Sequence, residues 1–231
     1  MANTLQTLDR GLTALEIIAE RSGGLSVAEL AEALEVHRAI AYRIVTTLER
    51  HGLIARRGDG GLRLGAGVAL LASHFEPQLR RVAQPLLEAL ARHTRATAFI
   101  SVAQGEEAVV LMVAEPNEGL LRVGYRVGSR HPLSLGAAGI AILAGRPPRP
   151  EDSEAVREAR TLGYNLTRGQ LQRGAVGVAS PIASPSLNHG VEACVGVVAM
   201  EDLDSGTAIR EVKTTARELA GLVTPANATR P

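Results

Sequence analysis

The chain has 231 residues, 45% of them apolar and 21% charged, a balance that can bury real cores and excludes a chain disordered by composition. Its net charge of +1 gives no bulk attraction for polyanions, and only five aromatic residues leave the cores to Leu, Val, Ile and Ala. A single cysteine, Cys194, excludes an internal disulfide and a multi-cysteine zinc site.

Charge is distributed unevenly along the first third. Between Leu12 and Val36 one arginine faces five acids, whereas between His37 and Leu64 six arginines face two acids, a balance of +4. Such a segment offers one face to a polyanion. Leu5, Leu8, Leu12, Leu15 and Ile18 recur at helical spacing and predict an amphipathic first helix ended by Ser22-Gly23-Gly24. Ser26-Val27-Ala28-Glu29 is a capping box opening a second helix, whose buried stripe is Leu30, Ala31 and Leu34. After Glu35-Val36-His37 a third helix carries its core stripe on Ile40, Ile44 and Leu48, and His51-Gly52 ends it. Two short helices across a three-residue turn form a helix-turn-helix pattern. Opposite the core stripe of the third helix lie Ala39, Tyr42, Arg43, Thr46 and Arg50, a face suited to base edges and phosphates. Two short runs, 53–57 and 62–64, flank Gly58-Asp59-Gly60-Gly61 and predict a hairpin wing carrying Arg56, Arg57 and Arg63.

Beyond the wing, a linker helix is expected over 66–75, broken near Pro77, and resuming as 79–93. β-branched runs at 97–103, 108–114 and 120–127 predict an antiparallel meander. A small-residue helix at 135–144, a polar helix at 153–162, strands at 175–183 and 191–200, and a closing helix at 208–223 complete an α+β domain. The domains expected are therefore residues 1–65, a linker at 66–77, and 78–231. Small residues cluster at Gly136, Ala137, Ala138, Gly139, Ala175, Gly177 and Gly196. They either leave room for a ligand or let a helix pack closely on a sheet, and both readings stand.

Catalysis finds little support. The six histidines show no H-E-x-x-H spacing, and no G-x-S-x-G elbow occurs. Cys194 in an apolar strand reads as a core residue, and Tyr164 and His131 as packing or surface residues. The expectation is a protein that is not an enzyme and needs no cofactor or metal. The first ten residues lack the apolar core of a signal peptide, and the apolar stretch 133–145 is shorter than the roughly 20 residues that span a bilayer. A cytoplasmic protein with no membrane partner is expected.

Several segments together resemble the IclR family of transcriptional regulators. They are Leu8-Asp9-Arg10-Gly11-Leu12, Arg38 to Arg43, Gly61-Leu62-Arg63-Leu64-Gly65, and Pro132-Leu133 running into Gly136-Ala137-Ala138-Gly139-Ile140-Ala141-Ile142-Leu143-Ala144. Gly163-Tyr164, Gly174 and Val178-Ala179-Ser180-Pro181-Ile182 add to the match, which runs from about residue 4 to 223. The resemblance implies a winged helix-turn-helix, a linker helix and a GAF-like effector-binding domain with an antiparallel sheet. It also implies a homodimer joined through the DNA-binding domains, often paired into a tetramer, on a pseudo-palindromic double-stranded operator. DNA-contacting positions of the family fall on His37, Arg38, Ala39, Ile40, Tyr42 and Arg43; Ala39-Ile40 stand where Ser-Thr is common. Effector-lining positions fall on Leu120, Val123, Ala137, Ala138, Thr167, Ala175, Gly177, Gly196 and Val198. Thr167 replaces an acid, Gly177 a cysteine, Gly196 and Val198 two serines, Ser134 a histidine and Ile140 a lysine. A pocket so stripped of polar anchors suits an organic acid or a more apolar metabolite, larger or more apolar than a small keto acid, or no ligand. The alternatives are a constitutive regulator with a degenerate pocket, a sensor that acts through another protein, and an enzyme using the C-terminal pocket.

Overall fold

The computed structural model describes residues 5–21, 23–73, 77–116, 125–183, 191–200 and 202–222. The chain divides into two compact units, Met1–Pro77 and Gln78–Pro231.

In the first unit α1 (Gln6–Glu20), α2 (Val27–Ala33) and α3 (Arg38–Arg50) are followed by a hairpin of β1 (Ile54–Arg56) and β2 (Leu62–Leu64), then α4 (Ala66–Ser73). The capping box forms: the Ser26 hydroxyl accepts from the Glu29 amide at 3.2 Å, and the Glu29 carboxylate accepts from the Ser26 amide at 2.7 Å. At the end of α3, Gly52 adopts φ +68°, and the Gly52 and Leu53 amides donate back to the Glu49 and Leu48 carbonyls, a Schellman closure. Leu62 bridges to Leu25, seating the hairpin beside the strand-like residue that precedes α2. Leu30, Val45 and Leu62 are fully buried at the centre of this unit.

The amphipathic first helix forms, but its apolar face is only partly covered. Ala14 and Ile18 enter the core, while Leu5, Leu8 and Leu12 stay 75%, 59% and 54% exposed. The leucines share one face of α1, but the core of this unit takes the adjacent face. They line instead an open apolar groove of about 770 Å³ with Leu15, Ile40, Ile44 and Leu48. In α4 no residue is buried, and Leu70 and Leu71 are exposed.

The second unit contains α5 (Pro77–Thr94), β3 (Thr97–Gln104), β4 (Glu107–Ala114), β5 (Arg130–Pro132), α6 (Gly136–Gly145), α7 (Glu154–Leu162), β6 (Asn165–Arg168), β7 (Ala175–Pro181), β8 (Ala193–Met200) and α8 (Ser205–Leu222). Six antiparallel strands form one sheet in the order β5-β4-β3-β8-β7-β6. Strand alternation divides the interior. Ile100, Val178, Val195 and Val197 join Leu87 and Leu90 of α5 and Val212 and Leu219 of α8 in one cluster. Phe99, Ala179 and Cys194 join Ala137, Ala138, Ala141 and Ile142 of α6 in another.

Sequence and structure differ in three places here. The helix breaks near Pro77 as expected, but α5 starts at Pro77 rather than at residue 79, because a proline in the first turn forfeits only an amide that has no intrahelical partner. The expected strand 120–127 lies largely outside the described residues; the neighbour paired with β4 is β5, three residues long and too short to give a periodic signal. Strand β6, four residues long and starting two residues after the glycine that ends α7, is likewise absent from the sequence expectation.

Candidate nucleic-acid interface and interior cavity

Helix α3 is amphipathic in the simplest way. Ala41, Ile44, Val45 and Leu48 are buried, and on the far side Ala39, Arg43, Thr46 and Arg50 follow one another at helical spacing, all exposed. Tyr42 (53% exposed) and Arg38 flank this stripe. His37 is the exposed N-cap residue, and its side chain makes no cap bond. Among the described residues, the side chains of Arg38, Tyr42, Arg43, Thr46 and Arg50 make no hydrogen bond or ion pair, so their donors face solvent. Ile40 differs from its neighbours: it is half-buried against the core and leaves little side chain on the exposed face.

The wing arginines separate into two kinds. Arg56 pairs with Glu49 at 2.9 Å. Arg57 donates to the Gly23 carbonyl at 3.1 Å, meets Asp59 at 3.4 Å, and lies over Gly24. These two hold the hairpin against the helices. Arg63 is exposed on β2 with no such partner among the described residues, so it is the wing's free cation.

In the second unit, a small cavity of about 40 Å³ brings together Ala137 and Ala138 of α6, Thr167 of β6, Ala175 and Gly177 of β7, and Val198 of β8. Six of the nine sequence-derived effector positions therefore converge. Leu120 and Val123 lie outside the described residues. Gly196 does not line the cavity: a Cβ there would stand 2.5 Å from the Val178 carbonyl oxygen and 2.6 Å from Phe99 Cζ, so the Phe99 ring takes the space above it. Gly177 serves close packing, its missing Cβ falling 3.3 Å from that of Ala137.

The remaining wall comes from residues that the sequence did not single out: Phe99, Tyr125, Gln170, Leu171 and Gln172. Phe99 and Tyr125 meet edge to face with centroids 4.8 Å apart. The Tyr125 hydroxyl lies 3.1 Å from His131 Nε2, and His131 Nδ1 lies 3.1 Å from the Pro132 carbonyl. A carbonyl only accepts, so Nδ1 carries the proton and Nε2 accepts from the tyrosine. Burial pushes the Tyr125 hydroxyl pKa well up. Gln170 Oε1 accepts from the Gly136 amide at 2.9 Å, capping α6 from 34 residues away. Leu171 rests on Gly136, where a Cβ would come within 2.6 Å of Leu171 Cδ1. Segment 169–174, bounded by Gly169 (φ +66°) and Gly174 (φ +79°), thus walls one side of the cavity. What remains is far smaller than the roughly 300 Å³ or more of an ordinary ligand pocket. Tyr164 belongs elsewhere, packing on the other core cluster beneath Lys213. Cys194 is fully buried, and burial pushes its thiol up to about 12. No helix among the described residues is long and apolar enough to cross a membrane.

Comparison with known proteins agrees with this geometry. The IclR helix-turn-helix domain matches residues 7–58, and the bacterial transcriptional regulator IclR C-terminal domain matches residues 73–162, together well over half of the chain. An HTH-type transcriptional regulator of Mycobacterium tuberculosis is 34% identical over 164 residues, covering 70% of this chain and 60% of that protein. The transcriptional repressor IclR of Escherichia coli is 28% identical over 144 residues, covering 61% and 53%. The match thus spans between half and three fifths of the length of these relatives. Among solved structures, an IclR homologue from Microbacterium hydrocarbonoxydans, complexed with 4-hydroxybenzoate, superposes with a TM-score of 0.79 at 22% identity, over 94% of this chain and 98% of that one. A regulator from Alicyclobacillus acidocaldarius gives 0.75 at 19% identity, over 96% and 100%. With both of its family domains matched in order and its fold shared throughout, the chain belongs to the IclR family of transcriptional regulators.

Proposed function

We propose that the chain is a DNA-binding transcriptional regulator whose operator affinity is set by a small molecule bound in the second unit. The observation that carries this reading is the stripe of unpaired donors on α3, beside a wing whose Arg63 is also free. In a winged helix, α3 enters the major groove, where Arg43 and Arg38 meet base edges and phosphates, while Arg63 meets the backbone nearby. Arg50 and Thr46 extend the contact along α3; Arg56 and Arg57 act mainly by holding the wing in place.

The chain acts as a homodimer on a two-fold operator. The groove of α1 and α3 supports this, since Leu5, Leu8 and Leu12 are left exposed side by side there for an apolar partner surface. Residues 1–65 bind DNA, 66–77 link, and 78–231 hold the effector, with coupling running along the chain through α4 and α5. An effector seated among Ala137, Ala138, Thr167, Ala175, Gly177 and Val198 shifts the population between DNA-competent and incompetent states. The 4-hydroxybenzoate of the Microbacterium homologue supports an aromatic or otherwise apolar organic acid as the ligand class.

A second reading rests on the cavity itself. With only about 40 Å³ open and Leu171 seated on Gly136, the chain fits a constitutive regulator unless segment 169–174 yields to the ligand.

A gel shift with DNA from upstream of its own gene, against unrelated competitor, tests the main reading. Saturable binding that survives competitor supports it; binding that competitor removes entirely leaves generic phosphate contact and refutes it at that site. Thermal unfolding with 4-hydroxybenzoate and other small carboxylates separates the two readings. A ligand that binds only the folded state raises the midpoint, and a flat response to every acid favours the constitutive regulator.

A further inference from the structure

The reading of α3 as the DNA-contacting helix can be taken to the bases it recognises, and the inference rests on that reading. We infer that α3 reads guanine and thymine and leaves adenine and cytosine edges unread: Arg43 engages guanine N7 and O6, and the methyl groups of Ala39 and Thr46 engage a neighbouring thymine methyl.

The chemistry of the major groove makes this a question of inventory. Guanine offers two acceptors to a forked donor, and adenine pairs an acceptor with a donor and so calls for a carboxamide. Cytosine offers a lone donor that calls for a carboxylate, and thymine offers a methyl group. Helix α3 contains no Asn or Gln. Its one carboxylate, Glu49, is held 2.9 Å from Arg56 and lies off the central stripe. Bidentate adenine recognition and cytosine recognition therefore have no group to perform them.

What remains is placed well. Arg43 is exposed one turn into α3, its side chain unpaired among the described residues, and its guanidinium presents the fork that guanine needs. One turn earlier on the same stripe stands Ala39, whose single methyl lets the helix backbone approach the groove floor. Thr46 lies one turn further on, exposed and with its hydroxyl unengaged, whereas the Thr47 hydroxyl is spent on the Arg43 carbonyl at 2.8 Å. The lone hydroxyls of Thr46 and Tyr42 bond donors and acceptors alike and discriminate little. Arg38, at the first position of α3 and on the flank of the stripe, is placed for phosphate.

The test is selection of duplexes by the full chain from a randomised pool, followed by base-analogue substitution in the enriched site. Replacing one guanine per half-site by 7-deazaguanine is expected to weaken binding about tenfold or more, the lower range of a lost bidentate contact. Uracil for the adjacent thymine weakens it about threefold, since only a methyl contact is lost. 7-Deazaadenine has no effect at any position. Arg43→Ala abolishes the 7-deazaguanine effect and relaxes the preference at that position, whereas Arg38→Ala weakens every duplex alike and leaves the 7-deazaguanine effect in place; this separates base reading from phosphate attraction. A site indifferent to 7-deazaguanine, or one weakened by 7-deazaadenine, overturns the inference and leaves the regulator reading intact. A pool in which no duplex is enriched over competitor overturns the regulator reading, and this inference with it.

Discussion

The exposed face of α3 and the cavity beside α6 hold their residues under opposite constraints. On α3 the informative fact is what each side chain does not bond: Arg43, Thr46 and Arg50 are exposed and make no hydrogen bond or ion pair among the described residues, so their donors are free for a partner. In the cavity the informative fact is what each residue displaces. Phe99 occupies the space over Gly196, and Leu171 occupies the space over Gly136. A surface site survives substitution of its residues and loses only affinity, while an interior site is part of the core and loses stability first. Substitutions that restore or remove single groups should separate the two.

The largest effect is expected from Gly196→Ser, which reintroduces a side chain where 2.5 Å to the Val178 oxygen and 2.6 Å to the Phe99 ring leave no room. Overpacking a core costs about 1–3 kcal/mol, and a clash with backbone places this change near the upper end. The urea midpoint should fall accordingly. An unchanged midpoint would mean that the Phe99 ring moves aside freely and that the cavity is larger than its closed form.

On the surface, Arg43→Ala should weaken operator binding by about 1–3 kcal/mol with the unfolding midpoint unmoved. Arg56→Ala should do the reverse. Its exposed pair with Glu49 stabilises the wing by at most about 1 kcal/mol, and its effect on DNA is indirect. Equal losses of DNA affinity from both substitutions would place the two arginines in one contact and erase the distinction between reading and holding. Measuring binding at a fixed salt concentration is essential, because phosphate contacts alone change strongly with salt.

Legibility in the sequence follows the range of the interactions. The capping box at Ser26, the glycine end of α3 and the exposed face of α3 depend on residues within one or two helical turns, and periodicity revealed them. For the leucines of α1, periodicity identifies an apolar face but not what covers it. In the cavity, Thr167 and Val198 are reached only through family resemblance, whereas Ala137 and Gly177 also stand in the small-residue cluster, a pattern that leaves ligand space and close packing equally open. Gln170 and Leu171 were missed because their partner, Gly136, lies 34 residues or more away in sequence, in a loop with no period. Phe99 was read only as a strand residue, since nothing local tells that β8 carries glycine opposite it.

The smallest effect tests the local end of that range. The Ser26 backbone and side chain hold the Glu29 carboxyl below the usual 4.5, the backbone bond contributing most. A carboxyl lowered on folding stabilises the fold above its ordinary pKa, and that contribution disappears as the pH falls through its lowered, folded-state value. Ser26→Ala should cost about 1 kcal/mol near neutral pH, the usual loss for an N-cap. The acid limb of the first unit's stability should flatten only in part, because the backbone amide of residue 26, which contributes most to lowering Glu29, survives in the variant. Unfolding followed at pH 7 and again below pH 4 reads both effects. If wild type and variant converge at low pH, the box acts through the ionised carboxylate. If the gap persists unchanged, the Ser26 hydroxyl caps α2 independently of the Glu29 charge.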